Sequence, residues 1–210
     1  MTMHKLVANM ADWDLLEVLR MEEPGVIAVD GNLSPSALTH CLVHSKSRNY
    51  KPIGVFEPTS VPKSTMLFNL LDEPLHPTWS SIQSTFTIVT PNAPELAAMH
   101  MEAQSRRLLV NLPLSPSMDE GLQNRLLPET QDAVRLAWDL AHIIQVQLVK
   151  LGAEGALIVS RSRDLSSLSL KPGSKDYACT MPNGVHVLHL TSRHDAALPI
   201  LLYRFRRMKL

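Results

Sequence analysis

The chain has 210 residues, 45% of them apolar and 19% charged, so it can bury one substantial core and is not expected to be disordered. Basic and acidic side chains balance at 20 each, which argues against recruitment by nucleic acid or an anionic membrane surface. Two cysteines far apart in the sequence, Cys41 and Cys179, favour the reduced interior of the cytosol over a disulfide framework. No apolar run approaches the ~20 residues that cross a bilayer, and the acidic opening residues do not resemble a secretory signal. We therefore expect a cytoplasmic protein with one main domain.

The first half of the chain alternates apolar strands with helices. A short amphipathic helix is predicted over Asp12–Arg20, and a strand over Val26–Val29 follows it. Ser34 before a proline then predicts the start of a helix that runs to about residue 46. The other elements predicted in this half are a strand at Ile53–Phe56, a short helix near Lys63–Leu71, a strand at Thr85–Val89 and a helix from Glu95 to about Arg107. Repeated strand-then-helix units favour right-handed crossovers and a parallel sheet.

The second half has a looser pattern. Prolines and Gly121 interrupt a polar stretch between residues 113 and 128, which is typical of a surface loop. From Glu129 the apolar spacing is helical through Ile144. Strands are predicted at Val146–Val149, at Ala156–Val159 after a glycine-marked turn, and at Gly184–Leu190; residues 160–175 are predicted to form a loop. Residues 191–210 contain no glycine and end in a basic run.

Two strand exits are the candidate site. The segment Thr90–Glu95 joins the third strand to a helix, and Leu151–Gly155 follows a later strand. Ligands of open parallel sheets bind outside the carboxyl ends of the strands. The sequence therefore predicts that the Asn92 corner and the Gly152 turn lie along the same edge of the sheet and open onto one crevice.

Four runs of sequence together resemble the middle of a PfkB-type (ribokinase-like) carbohydrate kinase, and the second is most similar to the pseudouridine kinase branch. The runs are Val29–Ser34, Phe56–Lys63, Thr90–Glu95 and Lys150–Gly155. The resemblance implies an α/β fold of three layers, Rossmann-like, with a mostly parallel sheet and helices on both faces. It assigns residues 1–190 to a partial kinase domain that lacks both ends, and leaves residues 191–210 as an atypical basic tail.

The resemblance also implies the site residues and the ligands. Asn92 would lie beside the phosphates of ATP, and Glu95 would organise Mg²⁺ through water, while Gly152 and Gly155 would let backbone approach the nucleotide. Residues expected to face the phosphate or the acceptor are Lys63, Glu57, Asp30 and Asn32, with Thr59 and Ser60 on the same strand exit as Glu57. The acceptor would be a hydroxyl of pseudouridine or a related sugar or nucleoside.

Each assignment has a purely structural alternative. Asn92 and Glu95 also fit a capping box at a helix start, and the two glycines fit an ordinary reversing turn. Asp30 and Asn32 are typical turn residues, and Lys63 fits a solvated surface lysine. Ser60 would also suit the N-cap of the next helix.

The chain departs from the family pattern at two places. Relatives often carry a hydroxyl residue two positions before the first glycine of the nucleotide turn, where this chain has Lys150. The family's Gly-Ala-Gly-Asp motif, which supplies the catalytic base and an anion hole, should follow the strand ending at Leu190. The sequence instead continues Thr191-Ser192-Arg193-His194-Asp195, so no catalytic role is assigned to Asp195.

Two functions from different classes remain open at this point. The first is a kinase fragment that still binds Mg-ATP but transfers no phosphate by itself. The second is a non-catalytic module that completes its sheet as a homo-oligomer or by pairing with a full-length kinase. Neither requires nucleic acid or a membrane; the basic tail favours a disordered end over an RNA contact.

Overall fold

The computed structural model describes residues 25–46, 52–75, 77–110, 112, 120–161, 176–181 and 184–191. The strands are β1 (Val26–Asp30), β2 (Ile53–Glu57), β3 (Ile88–Val89), β4 (Val146–Lys150), β5 (Ala156–Ser160), β6 (Tyr177–Met181) and β7 (Val185–Leu190). The α-helices are α1 (Pro35–Lys46), α2 (Val61–Ser64), α3 (Met66–Asn69), α4 (Trp79–Thr85), α5 (Ala93–Ser105), α6 (Glu120–Gln123) and α7 (Pro128–Leu140). Short 3-10 turns occupy Leu70–Asp72 and Gly152–Glu154. The predicted helix Asp12–Arg20 and residues 192–210 of the tail lie outside the described residues.

The described strands form one seven-stranded mixed sheet in the order β1-β2-β3-β4-β5-β7-β6. The pairings from β1 to β4 are parallel, as the alternating strand and helix pattern predicts. The pairings from β4 through β5 and β7 to β6 are antiparallel. The prediction of a mostly parallel sheet therefore holds for the first part only, because a tight turn between consecutive strands reverses the chain.

The start of α1 follows from its local sequence. Proline at the first helical position has a backbone suited to a helix start, and the Oγ of Ser34 accepts the backbone N–H of Ala37 at 3.0 Å. Leu38, Cys41 and Leu42 then recur on one side of the helix and are buried. The predicted helix is confirmed to residue 46.

The predicted strand Thr85–Val89 is wrong in its first half. Helix α4 occupies residues 79–85, and only Ile88 and Val89 remain extended. The Oγ1 of Thr78 accepts the backbone N–H of Ser81 at the helix start. Trp79 stacks on Phe68 with ring centroids 4.9 Å apart. This packing keeps a serine- and threonine-rich segment of low helix propensity in a helix.

Three other elements differ from the sequence prediction. The single helix near Lys63–Leu71 is interrupted at Thr65, and it continues as α3 and a 3-10 turn. Helix α7 ends at Leu140, so Ile143 and Ile144 lie in the turn that leads to β4. The sequence did not predict strand β6, whose five residues pair with Val185–His189 of β7.

The apolar side chains of the sheet form two clusters on its opposite faces. One cluster joins the sheet to buried side chains from α1, α3, α4, α5, α6 and α7, including Trp138. The other contains only strand residues, among them Val55 and Ile158, and they are nonetheless buried. Within the described residues, helices contribute to the cluster on one face only. The prediction of helices on both faces is therefore confirmed for that face alone. No helix in these ranges combines the length and apolar content needed to cross a membrane.

Candidate functional site

The carboxyl ends of the four parallel strands place the predicted site residues along one edge of the sheet. Asp30 and Glu57 are paired in register at the ends of β1 and β2. Asn92 forms an isolated parallel bridge with Lys150. The Lys150 backbone N–H donates to the carbonyl of Pro91 at 2.8 Å. Because Gly152 comes two residues after Lys150, the Asn92 corner and the Gly152 turn share this edge, as predicted.

The Asn92 corner forms a complete capping box at the start of α5. The Oδ1 of Asn92 accepts the backbone N–H of Glu95 at 2.9 Å. In return, the Oε2 of Glu95 accepts the backbone N–H of Asn92 at 2.9 Å. The capping interpretation is therefore confirmed. The ligand roles of both residues stay predictions.

The turn after β4 uses both glycines in conformations that suit glycine. Gly152 has φ of 61° and Gly155 has φ of 97°, in the region where a Cβ is unfavourable. The Leu151 backbone N–H donates to the carbonyl of Gly155 at 2.9 Å, which closes the turn. The turn reverses the chain into β5, so the interpretation of the two glycines as an ordinary reversing turn is confirmed.

Glu154 ties this turn to the amino end of α7. Its Oε1 accepts the Thr130 hydroxyl at 2.7 Å, and its Oε2 accepts the Leu127 backbone N–H at 3.2 Å. A carboxylate at a helix amino end is favoured by the helix dipole. The Nε2 of His189 lies 2.8 Å from the Glu154 carbonyl, which links the turn to β7 as well. The turn therefore has a fixed position at the sheet edge.

The first two strand exits contact one another. The Oδ1 of Asp30 accepts the backbone N–H of Asn32 at 2.8 Å, which confirms the turn interpretation of these residues. The ammonium of Lys63 donates to the Oδ1 of Asn32. A Cβ at Gly31 would lie 2.9 Å from the Cβ of Lys63, so the glycine lets α2 approach the β1 exit. Ser60 stands at the N-cap of α2 without a side-chain capping hydrogen bond.

The side chain of Glu57 contacts two other strand exits at this edge. Its Oε1 accepts the ammonium of Lys150, and its Oε2 accepts the hydroxyl of Thr90. It thereby bridges the ends of β2, β3 and β4. The side chains of Lys150 and Glu57 are 42% and 37% exposed, so the ion pair is accessible to water and to a ligand.

The described residues offer little for a metal ion beyond Glu95. No group of three or more histidine, cysteine, aspartate or glutamate side chains within the described ranges is arranged to hold one. Glu95 is buried, and one of its oxygens is engaged in the capping box. A single carboxylate fits Mg²⁺ when ligand phosphates and water supply the other oxygens.

Two connections at this site were missed from the sequence. The sequence shows Thr90 only as part of a strand exit and indicates no partner for Lys150, whereas both side chains bond to Glu57. The contacts join residues 33 and 93 positions apart. The order of the strands in the sheet creates them, so no local spacing could have indicated them.

No protein-family model and no curated protein sequence matches the chain.

Proposed function

We propose that the chain is part of a PfkB-type carbohydrate kinase, similar to the pseudouridine kinases, and that it binds Mg-ATP at the carboxyl edge of its parallel strands. The observation that carries the proposal is the bridge between Asn92 and Lys150. It brings the two predicted nucleotide-binding corners to the same edge of the sheet, where the proposed crevice would lie.

Each group at the edge has a role in this proposal. The helix dipole at the amino end of α5 favours an anion beside Asn92, whereas the backbone N–H groups of Asn92 and Glu95 already donate within the capping box. The backbone of the Gly152–Gly155 turn approaches the nucleotide, which is possible because its glycines carry no side chain. Glu95 would hold Mg²⁺ through water, and the metal would neutralise charge on the phosphates. Lys63, Asn32, Asp30 and Glu57 face the acceptor or the phosphates.

A catalytic base is not part of the proposal. The sequence after Leu190 contains no glycine and no Gly-Ala-Gly-Asp motif. The anion hole and the base carry most of the rate in phosphoryl transfer of this kind. The proposed function of this chain alone is therefore nucleotide binding, with no measurable phosphate transfer to pseudouridine.

Calorimetry with Mg-ATP tests the proposal. The variant Glu95→Gln separates the metal role of Glu95 from its role in helix capping. Glutamine also completes a capping box, so this variant keeps the helix start while it removes the charge that Mg²⁺ requires. We expect the wild-type chain to bind Mg-ATP and Glu95→Gln to bind it at least about tenfold more weakly, with urea-unfolding midpoints that agree closely.

Three results would contradict parts of this proposal. Absence of heat at millimolar Mg-ATP with a folded wild-type sample would refute nucleotide binding. Equal affinity of the wild-type and Glu95→Gln chains would restrict Glu95 to helix capping. ADP formation that depends on pseudouridine would show that the chain carries a catalytic base after all.

A second candidate function is supported by β1. This strand pairs only with β2 among the described strands, and Val26, Ile27 and Val29 on it are buried. It has no proline or lysine of the kind that protects a sheet edge from pairing. A non-catalytic module that adds a strand of a second chain at β1 would explain this. Size-exclusion chromatography, with and without a full-length kinase, distinguishes this module from a monomeric nucleotide-binding fragment.

A further inference from the structure

Lys150 is positioned where the two halves of the proposed crevice meet. Its backbone is bonded to Pro91 and bridged to Asn92, and the Gly152 turn begins two residues later. Its side chain lies on the same face of β4 as Leu148, because alternate residues of a strand share a face. On that face its ammonium contacts the carboxylate of Glu57.

The contact between Lys150 and Glu57 is easily broken. Both side chains are more than a third exposed, and exposed ion pairs contribute little net stability. Glu57 would also keep a partner after the ion pair opened, since the hydroxyl of Thr90 donates to its other oxygen. An anion with several charges in the crevice would therefore compete successfully with Glu57 for the ammonium.

We propose that Lys150 binds the polyphosphate of the ligand, and that Glu57 competes with the ligand for its ammonium. This inference rests on the proposed function and deepens it. It makes the crevice selective for a triphosphate over an uncharged nucleoside, because only the triphosphate displaces Glu57. It also gives a role to the one position in the nucleotide turn at which the chain departs from the family pattern.

A double-mutant cycle tests this competition. Wild-type, Lys150→Met, Glu57→Gln and the double variant are each titrated calorimetrically with Mg-ATP, with inorganic tripolyphosphate and with adenosine. The matched control is Arg135→Met, which removes the cation of an exposed ion pair with Asp132 on α7. Urea unfolding of each variant, measured without ligand, verifies that it is folded.

The expected pattern has four parts. Lys150→Met weakens the binding of both polyphosphates at least about tenfold, as loss of a hydrogen bond to a charged group predicts. Glu57→Gln tightens their binding by up to about fivefold, because the competing ion pair is gone. Glu57→Gln has no further effect when Lys150 is already methionine. The affinity for adenosine is the same in all four proteins, and the Arg135→Met control binds each ligand as tightly as the wild-type chain does.

The outcomes separate this inference from the proposed function. If wild-type chain binds Mg-ATP and Lys150→Met binds it equally well, the inference is wrong and nucleotide binding stands. If Glu57→Gln tightens binding equally with lysine or methionine at position 150, Glu57 only repels anions and the competition is refuted. If tripolyphosphate shows the expected cycle but Mg-ATP binds no more tightly than tripolyphosphate, the Lys150 site stands and the nucleotide function fails. Absence of binding for both polyphosphates in folded protein refutes both.

Discussion

At the scale of single residues, the candidate site is built from side chains that already have structural partners. Asp30 accepts a backbone N–H in its own turn, and Asn92 and Glu95 cap a helix. Glu57 differs, because its two oxygens are bonded to residues at the ends of two other strands, Thr90 after β3 and Lys150 in β4. Local sequence therefore explains the first three residues, and only the sheet explains Glu57. For this reason the sharpest tests at the site change charge and preserve the capping geometry.

A residue outside the site allows a prediction about pH. Cys41 is buried in α1, and burial raises the pKa of its thiol from 9.0 to about 12. In the unfolded chain the thiol ionises at the lower value. The contribution of Cys41 to stability is therefore intact below about pH 9 and is lost as the pH rises from there towards 12.

We expect Cys41→Ala to remove this part of the pH dependence. The free energy of unfolding of both proteins, measured in urea at pH 8, 9.5 and 10.5, gives the difference, and the other titrating groups cancel in it. The difference in unfolding free energy between the wild-type chain and Cys41→Ala should become smaller as the pH rises. A gap that stays constant across the three values would mean that the thiol ionises as easily in the folded protein.

At the scale of secondary-structure elements, the close approach of β2 and α4 decides how the chain enters β3. Gly54 is the second residue of β2, and a Cβ there would be 1.8 Å from the carbonyl oxygen of Thr85. Thr85 is the last residue of α4, so the absence of a side chain at Gly54 lets the helix end directly against the sheet. The sequence prediction of a strand from Thr85 failed because this contact is not local.

Gly54→Ala should be strongly destabilising for this reason. Backbone atoms must move to make room for the methyl group, and overpacking of this kind costs about 1–3 kcal/mol or more of unfolding free energy. Gly25→Ala is the matched control, since a Cβ at Gly25 meets no heavy atom within 4 Å. Urea unfolding of both variants gives the comparison. Equal stabilities would show that α4 does not pack against β2 in solution.

At the scale of the whole molecule, the sheet separates two apolar clusters that differ in what covers them. Leu157 and Ile158 are consecutive residues of β5 and point to opposite faces. Leu157 packs in the cluster that contains the helices, whereas Ile158 belongs to the cluster of strand residues. Their exposed fractions are 0% and 1%, so both faces are closed to water at β5.

This pair provides a direct test of the second face. We expect Leu157→Ala and Ile158→Ala each to lower the free energy of unfolding by about 2–5 kcal/mol, because each deletes a fully buried side chain. Denaturant unfolding measures both. If Ile158→Ala costs much less than Leu157→Ala, the second face is open in solution and its burial by the chain is refuted.

The sequence by itself determined the α/β class, the β1–α1 unit with its Ser34 cap, the capping box at Asn92 and the glycine turn at Gly152. These features depend on neighbours within a few positions, where backbone sterics and local hydrogen bonds act. The Asn-Gly pair before β7 is also a local hairpin signal, and it favours a partner strand before the pair in the sequence. Only the tertiary structure decided the antiparallel half of the sheet, the end of α4 against Gly54, and the contacts of Glu57 with Thr90 and Lys150. These depend on which strands become neighbours, and burial of the whole sheet selects that order.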